Sequence, residues 1–264
     1  ILEVSADLRE RQQATLKARA PAVAERVSWL DQLPEPGFRG VVLANEVLDA
    51  MPVARFLLTE QGPVALCVRQ AEQGFGWAST PPGPQLSGRL KQLAPLLDTL
   101  PVGYESELNV GATDWVHGLG GFLEAGAALV IDYGFPRHEY YHPQRLGGTL
   151  MCHYRHRAHA DPLILPGLQD ITAHVDFTAV AEAALAAGLS VAGFTNQANF
   201  LLANGLAELA GQVDEMRRQV ELAGQIKKLT LPSEMGELFK VIALTRGLRG
   251  PLRGFMLRDD RARL

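Results

Sequence analysis

The chain has 264 residues, of which 47% are hydrophobic, and its formal net charge at pH 7 is −4. This length and composition are typical of one globular α/β domain with insertions, and the acidic balance argues against nucleic acid as a partner. No apolar run approaches the roughly 18 residues that a membrane-spanning helix needs. The two cysteines are too few for a disulfide framework, which favours a reducing compartment.

The first part of the chain predicts a parallel sheet. We expect "ILEV" (1–4) to form a buried strand, Ser5 to cap a helix that ends near Ala20, and "RVSWLD" (26–31) and "GVVLAN" (40–45) to form two further strands. This order of strand, helix, strand and strand is typical of α/β folds with parallel strands.

The pattern then becomes antiparallel. Three β-rich runs within 54–80 are separated by short turns, which predicts an antiparallel meander inserted into the parallel fold. Helices are predicted at about 86–99 and from Thr113 to Gly126, where the glycine would end the helix. "AALVID" (127–132) predicts a buried strand.

The remaining chain is predicted to alternate again between helices and strands. Residues 135–176 read as irregular, and Asp176 or Thr178 would cap a helix that Gly188 closes. Beyond it we expect a strand at 190–195, helices within 197–225, a last strand at 238–246 and a mobile basic tail at 248–264.

Acidic or amide side chains follow the predicted strands at their carboxyl ends, where open α/β sheets bind ligands. Glu3 is placed to accept hydrogen bonds from a ribose diol, and Asp31 could receive an adenine amino group. The alternative is that both are ordinary capping or turn acids.

Asn45, Glu46 and Asp49 follow a strand that we expect to be buried on both faces. If residues 46–50 form a helical turn, Glu46 and Asp49 lie on one side of it. Two nearby carboxylates in a partly closed site repel each other, and a sulfonium cofactor or a guanidinium substrate between them would relieve this. The alternative is a capped turn that Pro52 ends.

Four stretches agree in order and spacing with one family. "ANEVLDAMPV" (44–53) resembles the Asn-Glu-Phe-Phe-Asp-Ala-Leu-Pro signature of the MidA-like methyltransferases, which include a mitochondrial complex I assembly factor. The other stretches are "LEVSADLRERQ" (2–12), "VIDYGF" (130–135) and the long segment 147–180. The resemblance extends to about Gly247.

The resemblance implies a function and roles for individual residues. It implies transfer of a methyl group from S-adenosyl-L-methionine to a protein side chain, which is arginine in the mitochondrial relatives. Glu3 would bind the ribose, and Asn45 and Glu46 would flank the methionine end of the cofactor and the nucleophile. Asp49 would orient one of these two, and Asp132-Tyr133-Gly134 would line the substrate side.

The resemblance also implies an α/β, Rossmann-like class I methyltransferase sheet in one domain, 1–247, with insertions at about 54–110 and 135–176. The family carries a first strand and a Gly-rich loop ahead of the segment that matches residues 2–12. The sequence begins after that loop, so we expect a missing N-terminal segment, on which cofactor affinity would depend.

The expected location is the bacterial cytoplasm or, alternatively, the mitochondrial matrix, and a homo-oligomer is compatible with the sequence.

Two further features carry candidate chemistry. His174 and Asp176 flank Val175, so in an extended segment they share one face. They would form a hydrogen-bonded pair that accepts a proton near the substrate, or Asp176 is a helix cap beside an incidental histidine.

Five histidines cluster with Cys152 and suggest zinc. Arg155 and Arg157 lie between them and argue against a cation, so we expect no metal and a polar loop that contacts the substrate or an adjacent domain. The histidines are His138, His142, His153, His156 and His159. Two other functions therefore compete with a methyltransferase: a non-catalytic assembly factor on the same fold and, on this cluster, a metal-dependent hydrolase.

Overall fold

The computed structural model describes residues 1–72, 74–155, 157–211 and 216–264. The helices are α1 (Ala6–Arg19), α2 (Pro21–Ala24), α3 (Pro84–Leu97), α4 (Val110–Phe122), α5 (Arg137–Tyr140), α6 (Phe177–Ala186), α7 (Gln197–Ala203), α8 (Leu206–Ala210), α9 (Met216–Thr230) and α10 (Met235–Leu238). The strands are β1 (Phe38–Asn45), β2 (Ala54–Thr59), β3 (Gly62–Gln70), β4 (Phe75–Thr80), β5 (Glu105–Leu108), β6 (Leu123–Phe135), β7 (Met151–Tyr154), β8 (Arg157–His159), β9 (Asp170–Thr172), β10 (Val175–Asp176), β11 (Ser190–Asn196) and β12 (Phe239–Arg246). None of the described helices is long and apolar enough to cross a membrane.

The central sheet has the order β1-β6-β12-β11, and β10 pairs with the end of β6. β1 and β10 run parallel to β6, whereas β12 is antiparallel to both β6 and β11. Helices α4 and α6 pack on one face through the main apolar cluster, and α7 and the C-terminal segment cover the other face. This arrangement confirms the α/β class and brings the carboxyl ends of β1 and β6 side by side.

The N-terminal segment differs from the prediction. The expected strands at 1–4 and 26–31 are reduced to a single parallel bridge between Leu2 and Leu30. Both segments lack a longer partner, and Val4 is 91% exposed, so their apolar residues do not form a buried strand. Helix α1 is confirmed, with the Ser5 hydroxyl accepting a hydrogen bond from the Leu8 amide at 3.3 Å.

The antiparallel meander is confirmed. Strands β2, β3 and β4 pair in sequence and form a separate sheet in the order β4-β3-β2-β5. Helix α3 packs on this sheet through a second apolar cluster that includes Phe56 and Leu90. The sequence did not predict β5, which supplies the buried Glu107 discussed below.

The predicted boundary at Gly126 is wrong. Helix α4 begins earlier, capped by Asn109, and ends at Phe122, so Gly126 lies within β6. A Cβ at Gly126 would lie 1.8 Å from the Gly40 carbonyl oxygen, and its φ is +140°. The glycine is therefore required by the close approach of β1 and by its backbone conformation, which the sequence pattern does not distinguish from a helix C-cap.

The segments 135–176 and 248–264 both contain regular structure or contacts that the sequence did not predict. The described residues of 135–176 include α5, β10 and a small antiparallel sheet in the order β8-β7-β9. The C-terminal segment, which we expected to be mobile, packs against β11: the Asp260 amide donates to the Phe194 carbonyl at 2.6 Å. The ring of Phe255 fills the space where a Cβ at Gly193 would lie, so the segment completes that face of the sheet.

Candidate active site

The turn after β1 positions Asn45 and Glu46 at the rim of the sheet. The Glu46 amide donates to the Ile131 carbonyl at 2.9 Å, which continues the parallel pairing by one residue. Glu46 then has φ +50°, a left-handed conformation that is uncommon outside glycine. Both side chains are exposed, and the Asn45 amide nitrogen Nδ2 donates to Glu46 Oε1 at 3.2 Å.

The helical turn expected over 46–50 does not form, because the left-handed Glu46 changes the chain direction. Glu46 faces solvent, whereas Asp49 is only 5% exposed. The two carboxylates therefore do not share one side of a helix. They lie on the outer and inner faces of the same short turn.

The buried carboxylate of Asp132 holds this turn from beneath. Its Oδ2 accepts hydrogen bonds from the amides of Leu48 at 3.0 Å and Asp49 at 3.3 Å, and Oδ1 accepts from the Tyr133 amide at 2.9 Å. Burial, followed by repulsion from Asp49, raises the pKa of Asp132 to about 7. Asp132 is fully buried and supports the turn from within.

Asp49 and Tyr133 form the inner pair of the site. The Tyr133 hydroxyl donates to Asp49 Oδ2, and the pKa of Tyr133 is raised by burial and by this carboxylate. Burial also raises the pKa of Asp49, which the tyrosine partly offsets. The second oxygen of Asp49, Oδ1, is buried without a hydrogen-bond partner in the described part of the chain.

His174 packs against Tyr133, the residue whose hydroxyl donates to Asp49. Its ring lies 5.2 Å from the Tyr133 ring, edge to face, and 5.3 Å from the Phe135 ring. Burial lowers the pKa of His174 to about 4, and the positive charges of Arg145 and Lys240 lower it further. The imidazole is therefore neutral at neutral pH, and its Nδ1 has no partner among the described residues.

His174 and Asp176 do not form the expected pair. Asp176 caps helix α6 by accepting from the Ala179 amide at 3.1 Å, and its other oxygen accepts from Arg137 Nε at 3.2 Å. The same Arg137 binds both oxygens of Glu182. The helix-cap interpretation of Asp176 is confirmed, and His174 faces Tyr133 instead.

Glu3 and Asp31 lie together on the N-terminal segment. Glu3 accepts from the Ser5 amide and from Gln12 Nε2, both at 2.9 Å, and Asp31 forms an exposed ion pair with Arg9 at 2.7 Å. Arg9 also donates to the Glu3 carbonyl at 3.0 Å and so links the two acids. In the described part of the chain, no hydrogen bond or ion pair joins them to Asn45, Glu46 or Asp49.

Sequence reasoning missed a buried network behind His174. Glu107 Oε1 accepts from the Thr149 amide at 2.7 Å, from the Thr149 hydroxyl and from the Tyr140 hydroxyl at 3.0 Å. The Thr149 hydroxyl in turn accepts from the His174 amide at 2.9 Å. This network connects the backbone of His174 through Thr149 to Glu107 on β5 and so fixes its position. In the sequence, only the position of Thr149 within the segment 147–180 pointed to the network.

The histidine cluster does not converge on a metal. Among the described residues, no three His, Cys, Asp or Glu side chains come close enough to hold a metal ion. His142 and His159 instead accept hydrogen bonds from backbone amides two residues further on, at 3.2 and 3.3 Å. His156 lies outside the described residues.

A mixed α/β sheet with acidic and amide side chains at the carboxyl ends of β1 and β6 is the arrangement of an S-adenosyl-L-methionine-dependent methyltransferase. Residues 1–195 match the sequence profile of such a methyltransferase family, and the chain belongs to this family. Two crystal structures from Burkholderia thailandensis, 46% and 45% identical, superpose with a TM-score of 0.94 over 100% of this chain and 70% and 68% of theirs. The second of them holds bound S-adenosyl-homocysteine.

Curated relatives agree with the family assignment. The mouse mitochondrial protein arginine methyltransferase NDUFAF7 is 29% identical over 232 residues, which cover 83% of this chain and 49% of the relative. Its Drosophila melanogaster homolog is 28% identical over 233 residues, with the same coverage. The chain thus spans about half the length of these relatives.

Asn45, Glu46 and Glu3 have the chemistry to bind the methyl-donor cofactor, S-adenosyl-L-methionine. Within the described part of the chain, the exposed Glu46 carboxylate receives one side-chain hydrogen bond, from Asn45, and keeps acceptor sites for the charged end of the cofactor. Among the same residues, Glu3 on the N-terminal segment accepts one hydrogen bond on each oxygen and keeps a second acceptor site on each for ribose hydroxyls. We propose these three residues as the ones that would hold the cofactor.

Gly134, expected to line the substrate side, is required by backbone packing. A Cβ there would lie 2.1 Å from the Val175 carbonyl oxygen.

We predict that Gly134→Ala lowers the free energy of unfolding by about 3 kcal/mol, because β10 must move away from β6. The matched change Gly121→Ala, in helix α4 with open space around it, should be neutral or stabilising by up to about 1 kcal/mol. Urea denaturation of both variants measures this, and equal effects would contradict the packing role.

The lowered pKa of His174 predicts a pH-dependent stability. As pH falls from 6.5 to about 4, the unfolded chain takes up a proton on this histidine before the folded chain does, so folding loses stability over that window. His174→Phe keeps an aromatic ring against Tyr133 and cannot titrate. We predict that the stability of the wild type relative to this variant decreases across the window in urea denaturation series. A constant difference from pH 7 to pH 4 would show that burial does not disfavour the charged imidazole.

Proposed function

We propose that this methyltransferase acts on a protein side chain and that the acceptor is arginine. The observation that carries the proposal is the placement of two carboxylates, Glu46 and Asp49, on the outer and inner faces of one turn beside Tyr133. A guanidinium group has several nitrogens, so two carboxylates can bind the ones that do not react. The two arginine methyltransferases among the relatives support the same acceptor.

The chain's own residues would bind and orient the acceptor. When bound, S-adenosyl-L-methionine supplies the methyl group as an electrophile attached to a sulfonium. Glu46 would bind the guanidinium from the solvent side and Asp49 from the inner side, which directs one nitrogen at the methyl carbon. Because orientation of the reacting groups supplies much of the rate in such displacements, a turn held rigidly by Asp132 suits this reaction.

Tyr133 and His174 would have supporting roles. The Tyr133 hydroxyl fixes the position of the Asp49 carboxylate. As the new N–C bond forms, the acceptor nitrogen must lose a proton. His174 is neutral at neutral pH and lies against Tyr133, and its Nδ1 has no hydrogen-bond partner in the part of the chain that the structure describes, so it is our candidate to receive that proton.

This chain has a higher sequence identity to the two Burkholderia thailandensis proteins than to the mitochondrial relatives. We therefore propose the bacterial cytoplasm as the location of this protein, with the mitochondrial matrix as the alternative. We propose no nucleic-acid partner, in line with the net charge of −4.

The test is methyl transfer from tritiated S-adenosyl-L-methionine to an arginine-containing peptide and to the same peptide with lysine in place of arginine. We expect label on the arginine peptide alone. Glu46→Gln should reduce turnover by about 10²–10³-fold, because it removes a charge that acts on the reacting group.

The folded state should not change in this variant, since Glu46 is exposed and Asn45 is its one side-chain hydrogen-bond partner among the described residues. Exposed Glu72→Gln serves as the matched control and should keep wild-type turnover. Equal labelling of the lysine peptide, or full turnover in Glu46→Gln, would contradict the proposed acceptor and the role of Glu46.

A further inference from the structure

A pocket of about 250 Å³ lies beside Asp49. Residues 49–53 of the turn form one wall, and Leu150 with residues 171–173 of the insertion form the other. We call it the turn–insertion pocket. None of these lining residues was among the predicted site residues except Asp49.

The two walls are joined directly to each other. The Ala173 amide donates to the Asp49 carbonyl at 3.0 Å. The insertion that contributes the second wall is itself fixed, since β9 pairs with β7 in the small sheet. The pocket is therefore a built feature between two ordered segments.

The walls of the pocket are mostly aliphatic. Met51 and Leu150 are half-buried, and Ile171 is 41% exposed at the opening. Such side chains can cover the methylene stem of a long charged side chain along its length.

The inner end of the pocket is acidic. Asp49 is 5% exposed, and its Oδ1 has no hydrogen-bond partner in the described part of the chain, while Oδ2 is taken by Tyr133. Asp170, at the end of β9 next to the lining residues, adds a second negative charge that acts on Asp49. None of the lining residues is basic, so a cationic head would be the favoured occupant.

We infer that the turn–insertion pocket receives the methyl-acceptor side chain, with its aliphatic stem between Met51, Leu150 and Ile171 and its cationic head on Asp49. The role of the pocket in methyl transfer rests on the proposed function. Its selection of a cation on an aliphatic stem is a property of the pocket itself. The acceptor thus enters from the insertion side, and the insertion takes part in choosing it.

The experiment is a titration of the protein, with ¹³C-labelled methionine and isoleucine methyl groups, by ethylguanidinium and by its uncharged isostere ethylurea. We expect saturable shifts of the Met51 and Ile171 methyl signals with ethylguanidinium. Binding of ethylurea should be weaker by about tenfold or more, because the charge-assisted hydrogen bond to Asp49 is lost. Ile164, which is 47% exposed and outside the pocket, is the internal control and should not shift.

The matched variants are Asp49→Asn, which keeps an oxygen for the Tyr133 hydroxyl, and Asp98→Asn at an exposed position. Ethylguanidinium binding should weaken by about tenfold or more in Asp49→Asn and stay unchanged in Asp98→Asn. An equal response to ethylurea, undiminished binding in Asp49→Asn, or a shift of Ile164 as large as that of Ile171 would overturn the inference.

This titration separates the pocket from the proposed function, because no methyl group is transferred in it. Binding as expected, together with no arginine methylation, would support the pocket and contradict the proposed acceptor. Arginine methylation without any response of Met51 and Ile171 would contradict the pocket and leave the proposed acceptor standing.

Discussion

The candidate site depends on one buried carboxylate. Asp132 lies near the end of β6 and accepts hydrogen bonds from the amides of Leu48 and Asp49, which have no sheet or helix partner among the described residues. Buried backbone amides must be paired, so without Asp132 this turn could not pack against the sheet as it does. Asp132 therefore positions Asp49, whereas Glu46 is held at the start of the turn by the Ile131 carbonyl.

The same arrangement places the carboxyl group of Asp132 close to a second buried acid, Asp49. Burial raises the pKa of both carboxyl groups, and the negative charge of Asp49 raises the pKa of Asp132 further. The Tyr133 hydroxyl compensates on one oxygen of Asp49 only. The backbone of Glu46 is in the left-handed conformation, which is found mostly where the surrounding structure enforces it. A cationic ligand near Asp49 would offset this negative charge, which agrees with the proposed arginine acceptor.

Local patterns in the sequence predicted the features that depend on few residues. The meander, strand β1 and the caps at Ser5 and Asp176 follow from alternation, turn residues and cap residues, and the structure confirms them. The strands at 1–4 and 26–31 failed because an apolar run forms a strand only if a neighbour pairs with it. The misplaced end of α4 at Gly126 has a similar cause, because a glycine permits either a helix cap or a close strand contact.

Within the site, residue types were predictable but their burial was not. The acids at the ends of β1 and β6 were identified, yet only the tertiary structure shows that Asp132 is fully buried and that His174 faces Tyr133. Glu107 and Thr149 were missed because they act through contacts between segments about forty residues apart, which no local pattern records.

Amide hydrogen exchange at Leu48 and Asp49 measures whether Asp132 holds the turn. We expect strong protection of both amides in the wild type and selective loss of that protection in Asp132→Ala. The Glu46 amide, which donates to the Ile131 carbonyl, should stay protected in both proteins and so reports that the sheet is intact. Fast exchange of Leu48 and Asp49 in the wild type, or unchanged protection in Asp132→Ala, would contradict the claim that this carboxylate holds the turn.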